Sequence, residues 1–411
     1  RSRGYGGYAP VNIDTRLASG SRIAGFCDPA FAEVGEAFEA NFRERGETGA
    51  SLCVNAHGRS VVDLWGGVRD PESGAPWKRD TVSVVFSCTK AATAICAHML
   101  VDRGLLDLDA PVMRYWPQFA GAGKEDITVR MLLNHTASLP AFRDRLKPGA
   151  FYDWEYMVER LEQEPPFWPP GSHVAYHMMT FGWTVGEVIR RISGRTVGQL
   201  FREEIAGPLQ LDFHIGAPEE LETRIAPVSA FMTSGDEIRS PFAEAIMSDG
   251  SPVPRLAFLN TGRHDANSVA AHKAELGGIG GIANARALAA MFAPLVPGSP
   301  VQLLSRGRID AMREVSSESD CDETLRIPTR FGEGFMLAID NPDLPPGNAL
   351  RIGPGAFGHV GIGGSVGFAD PEAGLAFGYT MNRLGGGVLL NERGQSLVDA
   401  TYKSLGARAG R

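Results

Sequence analysis

Ser87 and Lys90 stand three residues apart in Val84-Val85-Phe86-Ser87-Cys88-Thr89-Lys90, where an apolar run gives way to a helical pattern. Residues three apart on a helix share a face, which places the Lys90 amine beside the Ser87 hydroxyl. A serine hydroxyl is a weak nucleophile until a base takes its proton. A lysine does this when burial and nearby positive charge lower its pKa. The start of the helix also offers free backbone N–H groups to a developing oxyanion. Ser-x-x-Lys is nonetheless a weak signal. The two residues fall at this spacing by chance in most chains of this length, and a capping serine with a solvated lysine explains an isolated match.

Two further segments give the pair a context. Tyr176 ends the run Pro169-Pro170-Gly171-Ser172-His173-Val174-Ala175-Tyr176, on a loop before a helix that starts near Gly182. A phenol of ordinary pKa, near 10, is a poor base. Beside a Lys90 ammonium its anion is stabilised, and it then serves as general base and acid. The plain alternative is a core or rim tyrosine. The second segment is Phe357-Gly358-His359-Val360-Gly361-Ile362-Gly363-Gly364-Ser365. Alternating small residues in a sheet let a ligand approach the backbone closely. An edge strand here offers the Ile362 N–H as a second oxyanion donor, and His359 reads either as a polar contact to substrate or as a bystander. Gly363-Gly364-Ser365-Val366-Gly367 also matches Gly-x-Ser-x-Gly, but that elbow needs a helix after the serine. Val366-Gly367-Phe368 and a hairpin follow instead, so Ser365 is read as a decoy.

The elements that must position these residues are legible in outline. Phe31 to Phe42 has apolar residues at helical spacing, and the apolar runs at 50–54 and 61–65 flank His57-Gly58, a hairpin signal. Ala92, Ile95, Cys96 and Met99 continue a helix from Ser87, with Gly104 as its stop. Thr128 is a cap for Val129 to Asn134, Gly182 to Ile192 is amphipathic and closed by Gly194, and Thr196 with Gln199 fits a capping box. Residues 215–265 read as a long irregular insertion, of the kind that shapes a binding site. Asn284 caps a helix through Met291, and 365–369 with 375–381 form a hairpin. Two sheet-forming ends around a helical centre predict an α/β plus all-α chain. Its α/β domain is built from residues 1–86 and 268–411, and its mainly helical domain from 87–267.

Composition narrows the function classes. The 411 residues are 43% hydrophobic and 21% charged, with a net charge of −8, ordinary values for a chain with a large core. The acidic balance argues against a nucleic-acid surface, so the expected partner is a small molecule that is not a polyanion. No apolar stretch is long enough to span a bilayer. Five scattered cysteines without Cys-x-x-Cys spacing argue against a zinc site or a disulfide framework. A cytoplasmic setting is the expectation. The chain starts at Arg1, so secretion stays open. No cofactor and no metal is expected, and the oligomeric state is left open.

With these elements in order, the chain resembles the serine β-lactamase and penicillin-binding-protein superfamily, most of all the class C β-lactamase-like family VIII carboxylesterases. The resemblance covers roughly residues 30–395. It extends to Ile127-Thr128-Val129-Arg130-Met131-Leu132-Leu133-Asn134-His135-Thr136-Ala137-Ser138-Leu139-Pro140 and to Leu276-Gly277-Gly278-Ile279-Gly280-Gly281. It implies a β-lactamase-like fold: an antiparallel sheet flanked by helices, with an inserted helical domain. It also implies Ser87 as acylated nucleophile, Lys90 as its proton partner, Tyr176 as the base that serves the leaving group, and an oxyanion hole from the Ser87 and Ile362 N–H groups. Two departures carry specificity. The family's lactamases have Tyr-x-Asn where Met178 stands here, and a thioether does not replace an amide in binding an amide substrate. Their Lys-Thr-Gly is His359-Val360-Gly361 here, without the fixed cation. His359, Met178 and Gly361 are therefore read as substrate-side residues of a serine carboxylesterase for small to medium uncharged esters. An acyltransferase using the same acyl-enzyme, or a β-lactamase or short-amide hydrolase, is the alternative.

Overall fold

The computed structural model describes residues 11–230, 239–248 and 250–406. A hairpin of β1 (Val11–Arg16) and β2 (Arg22–Cys27) leads into α1 (Ala32–Glu44), which buries Val34 and Phe38. β3 (Gly49–Ala56) and β4 (Arg59–Asp70) form the hairpin expected from sequence. His57 and Gly58 at its tip have φ of 49° and 77°, the left-handed pair that a two-residue turn requires. The short strands β5 (Ala75–Pro76) and β6 (Val82–Val84) precede α2 (Cys88–Asp102). Every residue of α2 from Cys88 to Leu100 is buried, which makes it a core helix, not an amphipathic surface one.

Around α2 stand α3 (Val129–Leu133), α4 (Trp154–Gln163), α5 (Phe181–Ser193) and α6 (Val197–Phe201). The Thr128 side chain accepts from the Met131 N–H, Gly194 closes α5 at φ 68°, and Thr196 and Gln199 form both bonds of a capping box. Next come β7 (Phe213–His214), β8 (Ile225–Ala226), α7 (Pro241–Met247), α8 (Pro252–Leu259) and α9 (Val269–Lys273). The stretch 215–265 is therefore not simply irregular. Three of its prolines, Pro241, Pro252 and Pro254, sit in the first turn of α7 and of α8, where a missing N–H costs nothing. Residues 231–238 and 249 of that stretch lie outside the described residues.

The chain then returns through β9 (Ile282–Ala283), α10 (Ala285–Phe292, capped by Asn284) and α11 (Arg306–Met312). It continues in β10 (Ser317–Ser319), β11 (Thr329–Phe331), β12 (Met336–Leu337), β13 (Phe357–Val360), β14 (Val366–Asp370) and β15 (Leu375–Met381), and closes with α12 (Glu392–Leu405). The main sheet runs β1-β2-β4-β3-β15-β14-β13-β12-β11-β10, with β5 on β4. Both ends of the chain thus supply its strands, joined where β3 pairs antiparallel with β15 from Leu375↔Ala56 to Met381↔Ala50. β6 to β9 pair in a second, smaller sheet ordered β7-β9-β6-β8.

Side chains alternate across the main sheet. Phe377 and Tyr379 join Phe38 of α1 and Leu397 of α12 in one core, whereas Ala376 meets Leu288 of α10 in the other. The α10 face of the sheet is lined with small residues because the helix lies almost on the strand. A methyl group at Gly378 would sit 2.2 Å from the Ala285 carbonyl oxygen.

Candidate active site

Ser87 sits where the chain passes from β6 into α2. Its hydroxyl makes no capping bond to the helix, and Lys90 is fully buried, so a capping serine with a solvated lysine is not what the fold contains. Phe86, just before the serine, has φ 44°. A left-handed backbone costs a residue with a side chain about 1–2 kcal/mol, so the surroundings must hold this turn in place. Thr89 helps: its hydroxyl donates to the Phe86 carbonyl at 2.6 Å and accepts from the Gly281 N–H at 2.8 Å.

Lys90 Nζ has three polar neighbours: Met178 O at 2.7 Å, Gly278 O at 2.9 Å and Ser87 Oγ at 3.1 Å. The segment 276–281 reaches the amine because glycines let it lie against α5. A methyl group at Gly182 would stand 2.5 Å from the Gly278 nitrogen. Among the described residues no carboxylate pairs with Lys90, and burial pushes its pKa well below that of an ordinary lysine. A neutral amine has two N–H donors and one lone pair. Two carbonyls take the donors, so the lone pair falls to the Ser87 O–H.

The Tyr176 ring lies 4.8 Å from Lys90 Nζ. Asp322 holds its backbone: both carboxylate oxygens accept from the Tyr176 N–H at 3.0 Å. The ring stacks on Phe331 and touches His135. Burial pushes the phenol above its ordinary range, and the nearby Ser87 hydroxyl offsets part of that push. Tyr176 Oη is left without a hydrogen-bond partner. These electrostatics run opposite to the expected phenolate beside an ammonium. Burial disfavours the charged form of both groups.

The third segment reaches the same place. The His359 carbonyl accepts from Cys88 Sγ at 3.3 Å, which ties β13 to the first residue of α2. A methyl group at Gly361 would come within 2.4 Å of the Val85 carbonyl oxygen, so glycine is what lets this strand end approach the Ser87 turn. Ile362 follows at once, and among the described residues neither its N–H nor that of Ser87 donates to another protein group. Ser365 is fully buried with its hydroxyl donating to Val85 O at 3.2 Å, and β14 follows it. That geometry gives it a structural part. Met178 enters the site through its carbonyl on Lys90, with a nearly buried side chain. His359 is buried, its Nδ1–H donating to Val360 O at 2.8 Å.

Sequence reasoning missed the residues that support the site. His135 has a left-handed backbone, φ 65°, and its Nδ1 accepts from the His177 N–H at 3.0 Å. His177 in turn donates to Ala175 O and accepts from the Leu139 N–H. Burial lowers the pKa of both rings, that of His177 to about 4. They are therefore neutral braces and do not add charge around Lys90. No spacing rule links His135, His177 and Asp322, because long loops bring them together. His135 does lie within the quoted 127–140 segment, where a signal existed.

A family model described as Beta-lactamase matches residues 36–401. The chain belongs to the beta-lactamase family. The relative Esterase/beta-lactamase LipL of Mycobacterium tuberculosis (strain ATCC 25618 / H37Rv) is 36% identical over 385 residues, 89% of this chain and 84% of that protein. A crystal structure of a family VIII carboxylesterase superposes with a TM-score of 0.82 at 34% identity, covering 93% of this chain and 99% of the other. A penicillin-binding-protein homologue from Caulobacter crescentus gives the same figures. This member of the beta-lactamase family is a serine hydrolase with the β-lactamase-like fold. No helix among the described residues is long and apolar enough to cross a membrane.

Proposed function

We propose that this protein is a carboxylesterase that hydrolyses small to medium uncharged esters through an acyl-enzyme on Ser87. One observation carries the reading: Lys90 Nζ, buried and without a carboxylate, stands 3.1 Å from Ser87 Oγ, with the Met178 and Gly278 carbonyls on its other N–H donors. In acylation the Ser87 proton passes to Lys90 Nζ as Oγ bonds to the ester carbon. The Ser87 and Ile362 N–H groups hold the oxyanion. Tyr176 gives its proton to the alcohol oxygen as the C–O bond breaks, and Lys90 then restores the proton to Tyr176. His359, Met178 and Gly361 bound the substrate side.

Met178 and His359 support esters over lactams, because neither supplies an amide or a fixed cation. The names of the relatives, an esterase/beta-lactamase and a family VIII carboxylesterase, point the same way. Five free cysteines agree with a reducing compartment. Intact-mass analysis after a fluorophosphonate tests the core of this reading. Wild type should gain one adduct and Ser87→Ala none. An adduct that survives Ser87→Ala and vanishes in Ser365→Ala overturns it. Turnover of a short aryl ester should also exceed that of a chromogenic cephalosporin.

A further inference from the structure

Of the residues that bound the site, two have a buried side-chain polar atom without a hydrogen-bond partner: Tyr176 Oη and His359 Nε2. A buried group left unsatisfied costs about 1–3 kcal/mol and asks for an explanation. The two atoms are opposite in kind. The His359 Nδ1–H is spent on the Val360 carbonyl, which can only accept, so Nε2 carries a lone pair. Burial and the neighbouring Lys90 push the ring's pKa down to about 3, which keeps it neutral. Tyr176 Oη retains its proton. The ring centroids are 6.1 Å apart at 34°, so an unmatched donor and an unmatched acceptor sit on neighbouring rings.

We propose that His359 Nε2 accepts the spare O–H of the water that cleaves the acyl-enzyme, and so selects water over simple alcohols as the acyl acceptor. The inference rests on the Ser87 acyl-enzyme reading. In deacylation Tyr176 passes its proton to Lys90 and takes one from the water as the water oxygen bonds to the acyl carbon. Lys90 returns a proton to Ser87 Oγ as the C–Oγ bond breaks. Protons balance, and the acid and free serine result. The second water proton has no part in that transfer, and His359 Nε2 is the acceptor for it. A simple alcohol brings one O–H, which goes to Tyr176, and its carbon then faces a buried lone pair. A 1,2-diol brings a second O–H and escapes the penalty. His359 thus decides between hydrolysis and acyl transfer without taking a proton itself.

The test is the partition of one acyl-enzyme, formed from p-nitrophenyl butyrate, between water and added ethanol or ethylene glycol. Acid and alkyl ester are quantified for wild type, His359→Phe and His359→Gln. This ratio does not depend on how much protein is folded or on the acylation rate. Wild type should favour ethylene glycol over ethanol per hydroxyl. His359→Phe should raise the ethanol-to-water ratio about tenfold, from the cost of an unmet acceptor, and level the two alcohols. His359→Gln, which keeps an accepting oxygen, should stay near wild type. An unchanged ratio in His359→Phe, with the butyryl adduct still on Ser87 by mass, overturns this proposal alone. Absence of any adduct on Ser87 overturns the esterase reading and this one with it.

Discussion

Lys90 and Lys124 are both fully buried, yet only one stands where it can act on a serine. Lys124 Nζ donates to the carbonyls of Glu162 and Glu164, at the end of α4. Burial lowers its pKa to about 8, held from falling further by Glu164, Glu125 and Glu162. Lys90 has no such acids, and its third polar neighbour is a hydroxyl. Burial alone does not make a lysine into a base. What matters is which charges accompany it into the interior and what its lone pair meets.

The sharpest way to break this contrast is to delete each amine in turn. Lys90→Met should lower kcat on aryl esters by about 10⁴-fold, the upper range for a positioned proton-transfer group, whereas Lys124→Met, whose amine meets only the Glu162 and Glu164 carbonyls, should change it less than about twofold. Equal losses in the two variants would end the distinction. Tyr176→Phe comes next, with an expected loss of about 10²-fold. The loss should be greater for alkyl than for aryl esters, because only a poor leaving group needs the phenol's proton. If aryl and alkyl esters suffer alike, Tyr176 is not the acid.

The pH profile of kcat/KM sharpens the comparison further. The working form of Lys90 is neutral and prevails above its lowered pKa, while the working form of Tyr176 is protonated and prevails below its raised one. Activity should therefore form a plateau through neutral and mildly alkaline pH, with a loss in acid as Lys90 gains a proton. A plateau that begins only near the pKa of an ordinary lysine contradicts the assignment. The smallest effect concerns stability. Lys124→Met should cost about 1–3 kcal/mol by leaving two carbonyls unmet. It should also remove a gain that wild type shows between pH 8 and 10.5. There the unfolded lysine still holds the proton that the folded one has lost, so stability rises with pH. Paired urea melts at pH 7.5 and 10 check both points.

The sequence made some of this legible and hid the rest for physical reasons. Caps and turns are written locally, so Thr196, Asn284 and His57-Gly58 mark element ends where the fold has them. The helical spacing of Ser87 and Lys90 is local too. Protonation states are not local. They depend on the Met178 and Gly278 carbonyls, 88 and 188 residues from Lys90. The same holds for Asp322, which grips Tyr176 from 146 residues away. In the stretch 215–265, α7 and α8 escape a periodicity reading for a simpler cause, since both are short and begin with proline.

The seam between β3 and β15 has a consequence for the time at which this enzyme comes into being. Ser51 bonds to Thr380 across it, 329 residues along the chain. At a synthesis rate of about 5–20 residues per second, β3 leaves the ribosome roughly 15–65 s before β15. Through that interval β3 has β4 on one side only, and its other edge is open to pairing with the wrong chain. Chaperone demand during synthesis should thus depend on how fast residues 50–380 are translated, and slow codons in the middle of the message would lengthen the exposure.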